Sequence, residues 1–175
     1  MGLLNTEKIN LFTIMKRVIS QRFQRSGRER RRLIMVTATH SHCDGISIVP
    51  VEYVSELCTV IEGYKKKLGF YKISDFKKYL IPSIKRHGWS DEYYLDRTSK
   101  ITITSVKDKT GLCIQTGNMA RVYADLLKLQ ALFSRRTIDS GILILATVKC
   151  GRQFGGNVAS YERVLRELDI FDKVV

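Results

Sequence analysis

Asp96, Cys113, Gln115 and the backbone carbonyl of Ile114 are the groups with which this chain could cut a phosphodiester. In a β-hairpin followed by a crossover helix, a carboxylate from the first strand and alternate residues of the second can meet at one end of a sheet. There they hold a divalent ion against a scissile phosphate. Asp96 heads the first strand of such a pattern, and Cys113 and Gln115 share a face of the second because strand periodicity is two. Each also has a plain structural reading. Asp96 can start a strand, Gln115 can hydrogen-bond the hairpin, and Cys113 can be a small buried apolar residue, which is favoured over a nucleophile because no histidine lies nearby in sequence. His40, His42, Cys43 and Asp44 form a second cluster of ligating types, too closely spaced to enclose an ion without outside partners, and read as a polar loop.

The elements that must position these groups follow from residue periodicity. Ile101 to Val106 alternates, Lys107-Asp-Lys-Thr-Gly111 is a polar turn, and Leu112 to Thr116 is the returning strand. Asn118 is a natural N-cap for a long helix with its apolar seam at Met119, Val122, Leu126, Leu129 and Phe133. Gly141 to Val148 is continuously apolar, as in a strand covered on both faces, and the single crossover helix makes it parallel to the strand before. Upstream, Ile9, Phe12, Met15 and Ile19 recur at helical spacing and predict a first helix from Glu7 to Arg25; a strand over 33–39 follows the arginine cluster, whose link reads as a loop or frayed helix end. Helices are also expected from Pro50 to Lys67, or to an earlier end because Gly63 falls late in it, and after a cap at Asp75, with Phe76, Leu80 and Ile84 inward and Pro82 limiting or kinking it. Gly151 to Gly156, with Arg152, reads as a flexible connection before a last helix at 159–168. The fold class is α/β: a mixed sheet, antiparallel at the hairpin and parallel after it, flanked by helices. Residues 1–32 read as a basic N-terminal helix and arginine-rich segment and 33–175 as the core, within one domain overall.

Composition narrows the partners. The 175 residues carry 30 Lys+Arg against 17 Asp+Glu, a formal charge of +13, which points to a polyanion. Nucleic acid leads because Arg22, Arg25, Arg28, Arg30, Arg31 and Arg32 crowd one stretch, and guanidinium forks match phosphate oxygens. An anionic membrane surface and a solubilising tail are the alternatives for this run. Two prolines and no apolar run long enough to span a bilayer exclude collagenous and membrane-spanning classes. The four cysteines form no CxxC pair, which argues against structural zinc. Met1 to Asn10 lacks a secretory pattern, so reduced thiols and an intracellular location, cytoplasm or nucleoid/nucleus, are expected.

Leu95-Asp96, the hairpin, and Gly111-Leu-Cys-Ile-Gln-Thr-Gly-Asn118 followed by an amphipathic helix and an apolar strand resemble the catalytic centre of the BamHI type II restriction endonucleases. Those enzymes have an Asp, a hairpin and a Glu-x-Glu-Thr-Gly-Asn segment. Cys43-Asp-Gly-Ile-Ser-Ile-Val-Pro50, Glu56-Leu-Cys58 and Ser160-Tyr-Glu-Arg163 are similar to further stretches of the family, so the resemblance spans most of 43–171.

The resemblance implies a restriction-endonuclease-like fold, a homodimer gripping double-stranded DNA, and Mg2+-dependent hydrolysis of both strands. By position it makes Asp96 the metal-bridging carboxylate and the Ile114 carbonyl a further ligand. Cys113 stands where the family has its metal-binding Glu, and Gln115 where it has a second Glu or a Gln. Sulfur is a poor magnesium ligand, so weak metal binding is expected, either with a vestigial site or with a carboxylate such as Glu56, Glu62 or Asp91 taking over. Asn118 and Arg121 at the helix start, Arg28, Arg30, Arg31 and Arg32, and Arg152 are the DNA-contact candidates. Two functions stand, a magnesium-dependent endonuclease and a catalytically silent DNA-binding homologue; an RNA-binding basic protein ranks third.

Overall fold

The computed structural model describes residues 10–25, 28–64, 73–154 and 157–171. Its centre is a five-stranded mixed sheet in the order β2-β1-β7-β6-β5. β1 is Asn10–Arg25, β2 Arg28–His42, β5 Ser105–Lys107, β6 Thr110–Ile114 and β7 Ser140–Ala146. β6 and β7 run parallel, as do β1 and β7, while β1–β2 and β5–β6 are antiparallel. A separate hairpin pairs β3, Tyr93–Asp96, with β4, Ile101–Ile103. The helices are α1 Gly45–Ile48, α2 Val51–Glu62, α3 Ile73–Lys85, α4 Met119–Ser134, α5 Val148–Phe154 and α6 Tyr161–Phe171.

Strand alternation divides the core into two layers. Leu112, Ile114, Ile142 and Ile144 pack with Leu57 and Ile61 of α2 and Phe76, Leu80 and Ile84 of α3. Cys113, Leu143 and Leu145, one residue out of phase, pack with Val122, Leu126 and Leu129 of α4 and Val164 and Leu168 of α6. The helix–sheet–helix layering expected of the mixed α/β class is therefore present, and β7 is buried along its whole length.

The first helix expected from Glu7 to Arg25 is instead β1. β7 is buried on both faces, so its edge away from β6 would carry orphaned backbone N–H and C=O groups unless another strand covered it. β1 does so in register from Asn10↔Ser140 to Lys16↔Ala146. That need outweighs a helical spacing of four apolar residues, in a segment that also holds the β-branched Thr13, Ile14, Val18 and Ile19. The arginine cluster is likewise strand, within β2, rather than loop or frayed helix. Residues 7–9 of the expected helix lie outside the described residues.

Smaller corrections have local causes. Thr104 interrupts the expected strand 101–106, so its first half pairs with β3 and its second with β6. The hairpin turn shrinks to Asp108–Lys109, with Asp108 at φ 48°. Pro50 is the N-cap of α2 rather than its first residue, Gly63 is its C-cap, and residues 65–67 of the expected helix lie outside the described residues. Asp75 lies in the first turn of α3, and Pro82 sits inside that helix without ending it. The expected glycine loop from 151 is helical to Phe154. Thr147 caps α5 by accepting from Cys150 N at 3.1 Å, and Gly151 lies close under Val158, where an added Cβ would meet that side chain at 3.4 Å. Arg152 is an exposed helical residue. Residues 155–156 lie outside the described residues.

Candidate functional site

The end of β6 and the start of α4 are joined by Gln115, Thr116, Gly117 and Asn118, and this junction is built on a buried polar lock. Gln115 is buried, and its Nε2 donates to Asp125 Oδ2 at 2.6 Å. Its Oε1 accepts from Gly117 N at 2.7 Å, which ties the side chain to the turn. Asp125, on the inward face of α4, also accepts from Lys128 Nζ at 2.9 Å. A Cβ at Gly117 would lie 2.8 Å from Arg121 Cδ and 3.0 Å from Gln115 Oε1, so a side chain there would have to displace Arg121 and press on the lock. The Gly117 carbonyl accepts from Ala159 N at 2.7 Å, pinning the same turn to the segment before α6.

Asn118 is the N-cap of α4, as its sequence position implied, with Oδ1 accepting from Arg121 N at 3.2 Å. Both residues are exposed, and α4 has no acidic residue in its first turn, so its positive dipole end is left uncompensated. The cap and a ligand contact are separable. Asn118→Ala should cost about 1 kcal/mol in thermal or urea unfolding, whereas Asn118→Asp should hold the helix. If Asn118 faces an anion, Asp will nevertheless weaken duplex binding in a filter or anisotropy titration; unchanged affinity would leave Asn118 a cap only.

Cys113 and Gln115 share a face, as strand periodicity required, but that face is the α4 layer of the core. Cys113 is packed among Val122, Leu126 and Leu129, and burial, then the neighbouring Asp125 carboxylate, push its thiol far above the ordinary cysteine value. It stays a neutral, apolar packing group. The side chain of Ile114 faces the opposite layer, and its N–H donates to Thr104 Oγ1 at 3.0 Å.

Asp96 is held elsewhere. It ends β3, is exposed, and accepts from Ser99 N at 2.8 Å and Thr98 N at 3.3 Å, closing the turn before β4. The Ser99 hydroxyl and these backbone N–H groups lower its pKa, with a smaller attraction from Arg135. Arg135 is the C-cap of α4, ten residues beyond the Asp125 that marks Gln115 and Cys113. A buried neutral thiol, an amide already spent on Asp125 and a carboxylate bound to its own turn do not fit magnesium. Among the described residues no group of three or more His, Cys, Asp or Glu side chains is placed to hold a metal.

The alternative carboxylates differ in setting. Glu56 receives Lys107 Nζ at 2.8 Å, and Glu62 accepts from Thr37 N and Oγ1 at 3.0 and 2.7 Å. Asp91 is different, because with Glu92 it lines a cleft of about 300 Å³ shared with Lys77, Lys85, Ser90, Thr104 and Ile114. Lys85 Nζ donates to Asp91 there, and Glu92 accepts from Thr102 Oγ1 at 2.8 Å. His40 and His42 end β2, and Cys43 and Asp44 form the turn after it, both at left-handed φ of 48° and 57°.

A sequence profile of the restriction endonuclease BglII/BglIII family matches residues 37–175, the span holding the locked turn, the cleft and all but two of the strands. The chain belongs to that family. No curated protein sequence matches it significantly. Membership agrees with the restriction-endonuclease-like layering, and the resemblance to BamHI-type enzymes holds at the level of type II restriction endonucleases. Periodicity overlooked Asp125, although an acid at the seam spacing of Val122 and Leu129 was the visible signal. The Asp91–Glu92 cleft was signalled only by two adjacent acids after Trp89, which no spacing rule connects to Lys77.

Proposed function

We propose that this BglII/BglIII-family chain is a double-stranded-DNA-binding protein, working as a homodimer, with the start of α4 turned to the duplex and without a magnesium centre at Asp96, Cys113 and Gln115. The observation that carries the reading is the lock under the Thr-Gly-Asn turn. It spends Gln115 on holding α4 in place and leaves Asn118 and Arg121 exposed at the helix's positive end. The charge of +13 supplies the general attraction to phosphate. Leu127 is exposed on α4 one turn from the exposed Ala124 and two turns from the exposed Ala120, an apolar stripe that suits a second copy of the helix. Membership of a restriction endonuclease family makes DNA the partner and magnesium the customary ion.

Duplex binding measured across a salt series tests the first part: Arg121→Ala should flatten the plot of log K against log salt by about 0.9, the share of one phosphate contact. A slope identical to wild type would remove Arg121 from the interface. Sedimentation of the free and duplex-bound protein reads the dimer.

A second reading rests on the cleft. Asp91 and Glu92 stand beside Lys77 and Lys85 and the β6 residue Ile114, and this is where a hydrolytic centre would have its carboxylates. Plasmid nicking in magnesium or manganese separates the readings. Nicking that survives Asp96→Ala but vanishes in Asp91→Asn/Glu92→Gln places hydrolysis in the cleft. Loss in Asp96→Ala alone overturns both, and no nicking leaves the silent DNA-binding homologue.

A further inference from the structure

The β1–β2 pair outruns the sheet that supports it. β7 covers β1 only from Asn10 to Lys16, yet the β1–β2 register continues unbroken from Arg17↔Val36 to Arg25↔Arg28. Nine residues a strand at about 3.3 Å each make a two-stranded ribbon roughly 30 Å long. The ribbon belongs to residues 17–36, ahead of the segment matched by the family profile.

Its composition is extreme. Residues 17–36 hold seven arginines, at 17, 22, 25, 28, 30, 31 and 32, against one acid, Glu29. Strand alternation and the observed register put positions 17, 25, 28, 30 and 32 on one face, and make Arg22↔Arg31 a direct pair on the other. Like charges set directly opposite weaken a strand pair, and Arg25↔Arg28 repeats the arrangement at the tip. A bound polyanion relieves that repulsion.

We infer that this arginine-bearing β-ribbon is an arm that enters the major groove of B-form DNA, separate from the contact made at the start of α4. The inference rests on the proposed duplex binding. Two strands about 4.8 Å apart, with side chains on both faces, match the roughly 12 Å major groove, which admits a two-stranded ribbon. The deep, narrow major groove of A-form RNA does not. Seven arginines in such a ribbon supply guanidinium groups of the kind that suit phosphates and guanine edges.

The test uses the full-length protein and a fluorescent mixed-sequence duplex. In Arg25→Gln/Arg28→Gln/Arg30→Gln/Arg32→Gln the salt slope should be shallower by about 3 to 4, at roughly 0.9 per lost contact, against about 1 for Arg121→Ala. The same four positions changed to Lys should restore most of the slope, which shows the arm still folded. A duplex whose major groove is filled by glucosylated 5-hydroxymethylcytosine should bind wild type about tenfold more weakly, the size of one lost base contact, and leave the four-Gln variant unaffected. A minor-groove ligand such as netropsin should leave both alone. A four-Gln variant with wild-type slope, while Arg121→Ala still weakens binding, overturns the arm and spares the DNA reading. Absence of duplex binding by wild type overturns both. Equal affinity for double-stranded RNA, or loss of the dimer in the four-Gln variant, overturns the groove assignment in favour of RNA or of a second copy of the chain.

Discussion

Asp125→Leu is expected to lower the unfolding free energy by about 3 kcal/mol and Asp125→Asn by about 1 kcal/mol. The leucine removes the acceptor of Gln115 Nε2 and the partner of Lys128 together, leaving a buried amide donor unpaired beside an abandoned ammonium. Asparagine keeps an oxygen for the amide and gives up only the charge. In urea titrations the leucine variant should shift the midpoint by about 1.5 M if the slope is near 2 kcal/mol per M. The functional consequence separates this lock from ordinary packing. Gln115 also holds Gly117 N, so the folded leucine variant should present a displaced Asn118 and lose duplex affinity beyond its loss of stability. Equal effects of leucine and asparagine on both readouts would show that the carboxylate does not hold the turn.

Leu129→Ala is expected to cost 3 to 4 kcal/mol, in the usual range of about 2 to 5 for a fully buried leucine. The more informative experiment couples it to Gly111 on β6. A Cβ at Gly111 would come within 2.8 Å of Leu129 Cδ2 and 2.9 Å of Ile138 Cδ1, so Gly111→Ala alone should cost about 1 to 2 kcal/mol through overpacking. Truncating Leu129 empties the first of those positions. The double variant should therefore be less destabilised than the sum of the singles by about 1 kcal/mol, read from a thermal or denaturant cycle. Strict additivity would mean that α4 and β6 do not touch as described.

The β6–α4–β7 unit was legible because its signals are local and agree with one another. Leu112 to Ile114 is short and apolar, Asn118 caps, Val122, Leu126 and Leu129 keep helical phase, and 141–147 is apolar without a break. β1 was illegible because its reason for being a strand lies in β7, some 130 residues away, and a helical spacing of apolar residues carries no trace of a missing edge. Asp96 ends β3 rather than heading the strand that pairs with β6 for a related reason. The alternation from Ile101 to Val106 is unbroken in sequence, and the bend at Thr104, which sends its two halves to different partners, has no proline or glycine to announce it. Gln115 and Cys113 were placed on a common face correctly, since that follows from period alone. Which layer the face looks toward is decided by where α4 returns, and that is a tertiary fact.

The two outer strands of the central sheet are finished in contrasting ways. β5 is three residues long and offers little for another chain to zip onto, whereas β2 is fifteen residues long and carries Arg28, Arg30, Arg31 and Arg32. Mutual repulsion between such borders keeps one molecule from extending another's sheet. Trimming those arginines therefore uncovers a long adhesive border, so their replacement carries a cost in colloidal behaviour whatever else it changes.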